Sequence, residues 1–563
     1  MSSRDATIAH ERSDLAVQAI HPDSIYINGK FITSDSAFRV ASAVAVRDGR
    51  FLAVGNTDEV KALAGPGTDI IDLKGQTVLP GLIDTHVHVE RAGLLKYTVQ
   101  LNDVTSVEQA IGRISEYAAK LPKGRWVRGA QWHPLSQLAE KRFLTREELD
   151  RAAPNNPVCL PIGHFTLVNS EALKLAGISK NTPDPDGGII HRNKVTGEAN
   201  GTLEEAAEDL VHDLLPEWSD DERDLQIKYA MQYFNEFGLT SAISAAVDPA
   251  TLRAHHRVRQ NGQASLRISA MYAPTGGLNP SMTLEEWELF FSRIGAASDF
   301  GDDWLSYSGV KLQIDGGMTL RTAAMRDGYP DDRDYKGTIV IEPARFNALV
   351  ATANRYGWRV GVHAVGDAAV DRVLDAYELA DAERSIKGRR FIVIHGSLIR
   401  RDQMERARGL DVRVDAQTSF LWDKAAAVAR FLGRENADRA FPMRTMIDVM
   451  GLDAVAQGTD YPINLASPFV NMYVMVTRKD KNGDVYGAGE RITREEAIRL
   501  YTSAASRYSF SENKTGSIEP GKYADMVVIS DDILTVPEEA IKDVKAMQTI
   551  VEGRTVFKRN PGK

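Results

Sequence analysis

The sequence contains a single cysteine, Cys159, among 563 residues. One cysteine cannot form an intrachain disulfide, which excludes a disulfide-stabilised secreted scaffold and indicates a protein of the reducing cytoplasm. Cys159 stands in an apolar segment, so we expect a small buried side chain rather than a catalytic thiol. With thiolate ligands missing, a transition-metal site would have to be built from carboxylates and the 12 histidines.

Long apolar runs and a strong charge excess are also absent. No run of about 18 apolar residues occurs, and the N-terminal residues carry acids where a signal peptide has its apolar run. The formal net charge of −9 does not favour nucleic-acid or membrane binding. We therefore expect a small-molecule substrate as the partner, no nucleic acid and no membrane, with a homodimer left open.

Both ends of the chain have the pattern of β-strands. Asn28-Gly29, Asp48-Gly49 and Glu552-Gly553 each separate two strand-like runs, which is typical of β-hairpins. Neither end has enough strands for an independently stable sheet. We therefore predict one small β-sandwich, built from residues 23–80 and 509–563, after a flexible tail at residues 1–22.

Between the two ends, residues 81–508 alternate short apolar runs with helical stretches, which indicates a parallel sheet with crossover helices. Eight such runs are LIDTHVHV, LTSAISA, LRISAMY, VKLQID, WRVGVHAV, FIVIHG, VRVDAQT and AVAQGTD. Eight βα units close a barrel, so the predicted fold class is α/β, a (β/α)8 TIM-like barrel. About 150 residues separate the first two runs, more than one βα unit needs. They predict an inserted subdomain at about residues 95–235, over the barrel mouth.

Polar residues end several of these strands. His86 and His88 are two residues apart on the first strand, so both imidazoles point to the same side. His363, His395 and Asp460 end three later strands. Taken one at a time, each is better explained as a hydrogen-bonded core histidine or a helix-capping aspartate. Together they predict a metal site, because the carboxyl ends of barrel strands form the active site of such enzymes.

Lys311 lies inside an apolar β run, where an unpaired ammonium is costly. Burial lowers the pKa of a lysine, and the neutral amine can react with CO2. The two oxygens of the resulting carbamate would bridge two metal ions. The alternative is an ion pair with Asp315, which lies on the same face four residues further along.

From about residue 75 to residue 530 the chain resembles the amidohydrolase superfamily, and within it the amidohydrolase family 3 branch, which includes N-substituted formamide deformylase. The motifs are LPGLIDTHVH, GHFTLVNSEAL, VKLQIDGG, VGVHAVGDAAV, FIVIHGS, GTDYPI and TGSIEPGKYADMVVI. VIHGS stands where many relatives have Glu-His-Ala, and Gly-Thr-Asp stands where Gly-Ser-Asp is usual. Both departures keep the ligand itself, so they bear on the substrate more than on the chemistry.

The resemblance implies a role for each strand-end residue. It implies His86 and His88 as ligands of the more buried metal, Lys311 as the carboxylated bridging lysine, His363 and His395 as ligands of the second metal, and Asp460 as a metal ligand that also transfers the proton.

This ligand set predicts a binuclear centre of divalent ions, with zinc favoured by imidazole and carboxylate donors. Metal-activated hydroxide would attack a small amide, N-formyl, N-acyl or carbamate-type compound and cleave its C–N bond, a reaction of the EC 3.5 type. Asp460 would act as general base and then as general acid. An esterase or lactonase with the same site is the alternative, and a non-catalytic scaffold is the third hypothesis.

Substrate-binding residues are predicted from their positions near the mouth. Trp132 and His164 lie in the insertion, and Asp315, Arg321 and Tyr461 follow strand ends. Arg321 could pair with a substrate carboxylate. Trp132 is explained equally well as a core residue of the inserted subdomain.

Overall fold

The computed structural model describes residues 21–129, 132, 134–163, 165–185, 187–275 and 280–560. The middle of the chain forms a sheet of eight parallel strands in which each strand pairs with the next one along the chain. These barrel strands are Leu82–Val87, Leu239–Val247, Arg267–Tyr272, Leu305–Gln313, Val360–Ala364, Ile392–His395, Arg413–Ala416 and Val455–Gln457. Each of them overlaps one of the eight predicted runs, and the predicted fold class is confirmed.

The eighth strand meets the first at a line that we call the seam. Past the end of the eighth strand, Asp460 N donates to His86 O at 2.7 Å, and His88 N donates to Tyr461 O at 3.1 Å. Gly458 permits this close approach, because a Cβ at that position would lie 2.5 Å from His86 N. The seam therefore brings the beginning and the end of the barrel sequence into backbone contact.

Below the mouth, the barrel interior is filled by apolar side chains. Tyr508 is fully buried there and packs with Ile243, Met271 and Ile394. Its hydroxyl donates to the backbone carbonyls of Val414, at 2.6 Å, and Ala454, at 2.8 Å. The barrel interior is therefore a packed core at this level, and the candidate ligands lie above it at the mouth, where the carboxyl ends of the strands lie.

Helices cover the outside of the barrel and the insertion, and none in the described ranges is long and apolar enough to span a membrane. The α-helices are Thr57–Lys61, Val89–Gly93, Val107–Ala118, Pro134–Gln137, Arg146–Ala152, Ser170–Leu175, Asp209–His212, Asp220–Asn235, Pro249–Gln260, Leu284–Arg293, Pro343–Arg355, Asp367–Glu383, Arg401–Gly409, Phe420–Leu432, Arg434–Arg439, Met443–Met450, Pro468–Thr477, Arg494–Leu500 and Ser503–Ser506.

Two further sheets form the sandwich. One contains Arg50–Gly55, Ala43–Arg47, Ser24–Ile27 and Asp69–Asp72, and the other contains Arg554–Lys558, Ala546–Val551, Met526–Ile529, Thr77–Pro80, Lys30–Ile32 and Val40–Ala41. Met526–Ile529 pairs with Thr77–Pro80, so both chain ends build the second sheet, as predicted.

Two of the three predicted hairpins are confirmed. Asp48-Gly49 and Glu552-Gly553 each connect strands that pair antiparallel. The hairpin predicted at Asn28-Gly29 is wrong, because the strands on either side of it enter different sheets. Asn28, at φ 54°, turns the chain from one sheet of the sandwich to the other.

The insertion has a sheet and a core of its own. Its strands are Gly188–Arg192, Ala199–Glu205, Phe165–Val168, Val158–Ile162 and Val127–Arg128. Cys159 is buried here, as predicted. The helix Asp220–Asn235 packs instead into the barrel core through Ile227, Met231 and Phe234. This helix therefore belongs structurally to the barrel, although it lies within the range predicted for the insertion.

Candidate metal centre

Three ligand atoms converge at the mouth of the barrel. Nε2 of His86 and Nε2 of His88 each lie 3.6 Å from Oδ1 of Asp460, and the three residues offer atoms within 4.8 Å of one another. All three residues are buried. Because zinc bonds to nitrogen and oxygen are about 2.0–2.2 Å long, two ligands of one tetrahedral ion stand roughly 3.4 Å apart. The spacing of the three atoms therefore fits a single divalent cation.

Asp84 fixes the position of Asp460 relative to the first strand. Its carboxylate accepts from His86 N at 3.1 Å, from Thr459 N at 3.0 Å and from the Thr459 hydroxyl at 2.6 Å. Asp84 is fully buried, and burial raises its pKa to about 7. The backbone of Asp460 is in the left-handed region at φ 54°. These contacts hold an unusual conformation and direct the Asp460 carboxylate toward the two histidines.

His363 and His395 lie beside this triad. Their ring centroids are 4.4 Å apart, and the ring of His395 is 5.2 Å from that of His86. Burial lowers the pKa of His86, His88 and His395 well below the usual value. These imidazoles are therefore neutral at pH 7, which is the state that binds metal ions.

Lys311 is buried beside the histidines on the fourth strand. Burial lowers the pKa of its amine to about 7, against the opposing effect of Asp460 and Asp415. The predicted alternative, an ion pair with Asp315, is not formed. Asp315 instead accepts from the backbone N–H groups of Ala324, Val365 and Gly366. A fraction of the amine is thus neutral at pH 7, which is the form that reacts with CO2.

The sequence profile of the amidohydrolase family matches residues 69–557. The chain belongs to the amidohydrolase family. This amidohydrolase is 30% identical over 550 residues to Protein LONG AFTER FAR-RED 3 of Arabidopsis thaliana, covering 95% of this chain and 91% of that protein. It is 29% identical over 560 residues to N-substituted formamide deformylase of Arthrobacter pascens, covering 95% and 98%. An uncharacterized metal-dependent hydrolase from Pyrococcus furiosus superposes with a TM-score of 0.72 and 28% identity, covering 91% of this chain and 100% of that one.

Two of the predicted substrate-binding residues of the amidohydrolase lie in apolar packing. Trp132 is 4% exposed and belongs to the core of the insertion. Tyr461 is 6% exposed, and its ring packs against Tyr233 and Phe234, with centroids 5.4 and 5.8 Å away. These contacts favour structural roles. They agree with the alternative explanation that the sequence left open for Trp132.

The other three predicted substrate-binding residues have different surroundings. Asp315 is fully buried, and its three backbone donors tie the fourth-strand loop to the fifth. The guanidinium of Arg321 forms two hydrogen bonds with Asp331, at 2.8 and 2.9 Å. These contacts favour a structural role for Asp315 and give Arg321 an acidic partner within the protein. His164 lies outside the described residues.

Sequence reasoning missed two residues of the seventh strand segment. Asp415 is buried, with Oδ2 3.7 Å from Nδ1 of His86. Gln417 lies two residues later, and its Oε1 is 2.5 Å from Nδ1 of His395. A carboxylate within the apolar run VRVDAQT was a usable signal, because the same reasoning singled out Lys311 on the fourth strand.

Proposed function

We propose that this amidohydrolase is a metal-dependent hydrolase that cleaves the C–N bond of a small amide, N-formyl, N-acyl or carbamate-type compound. The observation that carries the proposal is the convergence of His86, His88 and Asp460 in one buried cluster at the barrel mouth. The relative named N-substituted formamide deformylase supports the choice of a C–N bond. The single cysteine further favours a cytoplasmic location.

The chain offers donors for two ions. His86, His88 and Asp460 would hold one, His363 and His395 would hold the other, and Lys311 would bridge them as its carbamate. A bound divalent metal, zinc being the ion that these donors favour, supplies polarisation of the substrate carbonyl and a lowered pKa for water.

Asp460 is the group that we assign to proton transfer. Burial raises the pKa of its carboxyl to about 6, so the group is largely ionised at pH 7 and can accept a proton. The raised pKa makes the carboxylate a stronger base than an exposed aspartate, and it lies close to neutral pH, where one group can first accept a proton and then return it to the leaving nitrogen. The side chain is 12% exposed, which limits the access of bulk water to the proton.

Metal content and turnover of the purified protein test the proposal together. We expect at least one equivalent of zinc, manganese, iron or cobalt by elemental analysis, loss of hydrolysis on chelation and recovery when metal is returned. Well under one equivalent, with no hydrolysis on adding metal, would contradict the proposal. Matched amide and ester analogues distinguish an amidase from an esterase or lactonase, and a metal-loaded protein inactive on both would favour a scaffold.

Asp460→Asn separates proton transfer from folding. We expect turnover to fall by a factor of about 10² or more, the usual contribution of a general acid–base group. Asp525→Asn is the matched control, because Asp525 is a buried carboxylate at the other end of the barrel, where it pairs with Arg267. Turnover of Asp460→Asn equal to that of the wild type would remove Asp460 from this role.

A further inference from the structure

Asp415 is a buried carboxylate that the proposed reaction does not use. It is 1% exposed, and the hydroxyl of Thr85 donates to its Oδ1 at 2.7 Å. Its Oδ2 has no hydrogen-bond partner among the described residues, and the same holds for Nδ1 of His86. These two atoms lie 3.7 Å apart. Each unpartnered polar atom therefore faces the other.

An unpaired polar atom in a protein interior is unfavourable, and an unpaired carboxylate oxygen especially so. A shift of roughly 1 Å would bring the two atoms to an ordinary N–H···O distance of about 2.9 Å. The resulting bond would satisfy both atoms at once. Thr85 already holds the other carboxylate oxygen, so Asp415 is oriented for this contact.

The other three histidines of the cluster are held by neutral carbonyl oxygens. Nδ1 of His395 contacts the side-chain oxygen of Gln417 at 2.5 Å, and Nε2 of His363 contacts Gly316 O at 3.2 Å. His88 is hydrogen-bonded to the backbone of Ala245. Carboxyl oxygens also lie 3.8 Å from Nδ1 of His88 and 3.7 Å from Nε2 of His363. What distinguishes His86 is that its nitrogen facing a carboxyl group is fully buried and has no hydrogen-bond partner among the described residues.

We propose that Asp415 is a positioning residue for His86. It accepts the Nδ1–H of the imidazole, which leaves the lone pair on Nε2 and directs that atom toward the metal position beside Asp460. A carboxylate acceptor also makes the ring a stronger donor to the metal. This inference rests on the proposed metal site, and it assigns a function to the seventh strand, which supplies none of the proposed metal ligands.

Asp415→Asn tests this role with almost no change in size. With the Thr85 hydroxyl donating to the amide oxygen, the amide NH2 faces Nδ1 of His86 and favours the tautomer protonated on Nε2, which leaves no lone pair on the nitrogen that faces Asp460. We expect the affinity for Zn²⁺, measured by competition with a chromophoric chelator, to fall 10- to 100-fold. Asp525→Asn should keep the affinity of the wild type. Unchanged affinity in Asp415→Asn would overturn the proposal.

The tautomer of His86 gives a second readout that needs neither metal nor turnover. In ¹⁵N NMR spectra of metal-free wild-type protein labelled with ¹⁵N-histidine, we expect His86 to be protonated on Nδ1. The His86 signal is identified as the one that is missing from the spectrum of His86→Gln. Protonation on Nε2 would overturn the proposal, and this measurement decides the matter if Asp415→Asn does not fold. If the wild type bound no metal, the proposed function would fail, while the tautomer would still test Asp415.

Discussion

Replacing Gly458 with alanine would force the seam of the barrel apart. The new Cβ would lie 2.5 Å from His86 N, 2.7 Å from His86 Cβ and 2.8 Å from His86 O. All of these are backbone or near-backbone atoms that cannot turn away. To reach a contact distance of about 3.5 Å, the strands must separate by roughly 1 Å. Overpacking of this kind destabilises a core by about 1–3 kcal/mol.

The same displacement would weaken the metal site. His86 lies on one side of the seam and Asp460 on the other, and ligand distances in a working site hold to within about 0.2 Å. To bind the ion, the variant would have to bring the two strands back together. The overpacking cost of about 1–3 kcal/mol would then be subtracted from the free energy of zinc binding. Since about 1.4 kcal/mol is a factor of ten, we expect the affinity for zinc to fall about 5- to 150-fold.

Urea unfolding of the metal-free protein and competition with a zinc chelator measure the two effects. Gly112→Ala is the matched control, because Gly112 lies within the helix Val107–Ala118 and its Cβ would have no atom within 4 Å. Alanine favours helix over glycine by about 1 kcal/mol, so this variant should be equally or more stable, with unchanged zinc affinity. Wild-type stability and affinity in Gly458→Ala would refute the reasoning.

Three further outcomes are expected. The Cys159 thiol is buried and its pKa is raised by burial to about 12, so iodoacetamide at pH 8 should label the protein only after denaturation, and rapid labelling of the folded protein would contradict its burial. Asp525→Asn removes a buried partner of Arg267 and should lower the free energy of unfolding by roughly 3 kcal/mol in urea, with unchanged zinc affinity; an unchanged urea midpoint would argue against this ion pair. Reconstitution with metal in buffer stripped of CO2 should recover several-fold less activity than with bicarbonate, because an unmodified Lys311 offers no anionic bridge; equal recovery would favour a free amine.

The barrel strands could be predicted because a parallel strand buried on both faces is a nearly continuous apolar run. His363 and His395 stood out as polar residues at the ends of such runs. The hairpin at Asn28-Gly29 failed for a different reason. A two-residue turn signal reports that the chain bends, but which strands then pair is decided by distant residues of the sandwich, which the local sequence does not contain.

The surroundings of the site were less predictable than its strand-end residues. Asp315 satisfies three backbone N–H groups from two segments, and such contacts leave no pattern in the local sequence. Asp84 stands two residues before His86, yet its main partner, Thr459, belongs to the other end of the barrel. Residues that support a site act through neighbours in space, so their roles become visible only in the folded chain.

The seam also sets the order of events as the protein is made. His86 and His88 leave the ribosome long before Asp460, and the contact between their strands forms only when the eighth strand docks against the first. A growing chain that lacks the last strand therefore lacks one of the three convergent ligands. Uptake of metal by the proposed triad would therefore follow barrel closure, and opening of the seam would weaken the hold of the triad on the ion.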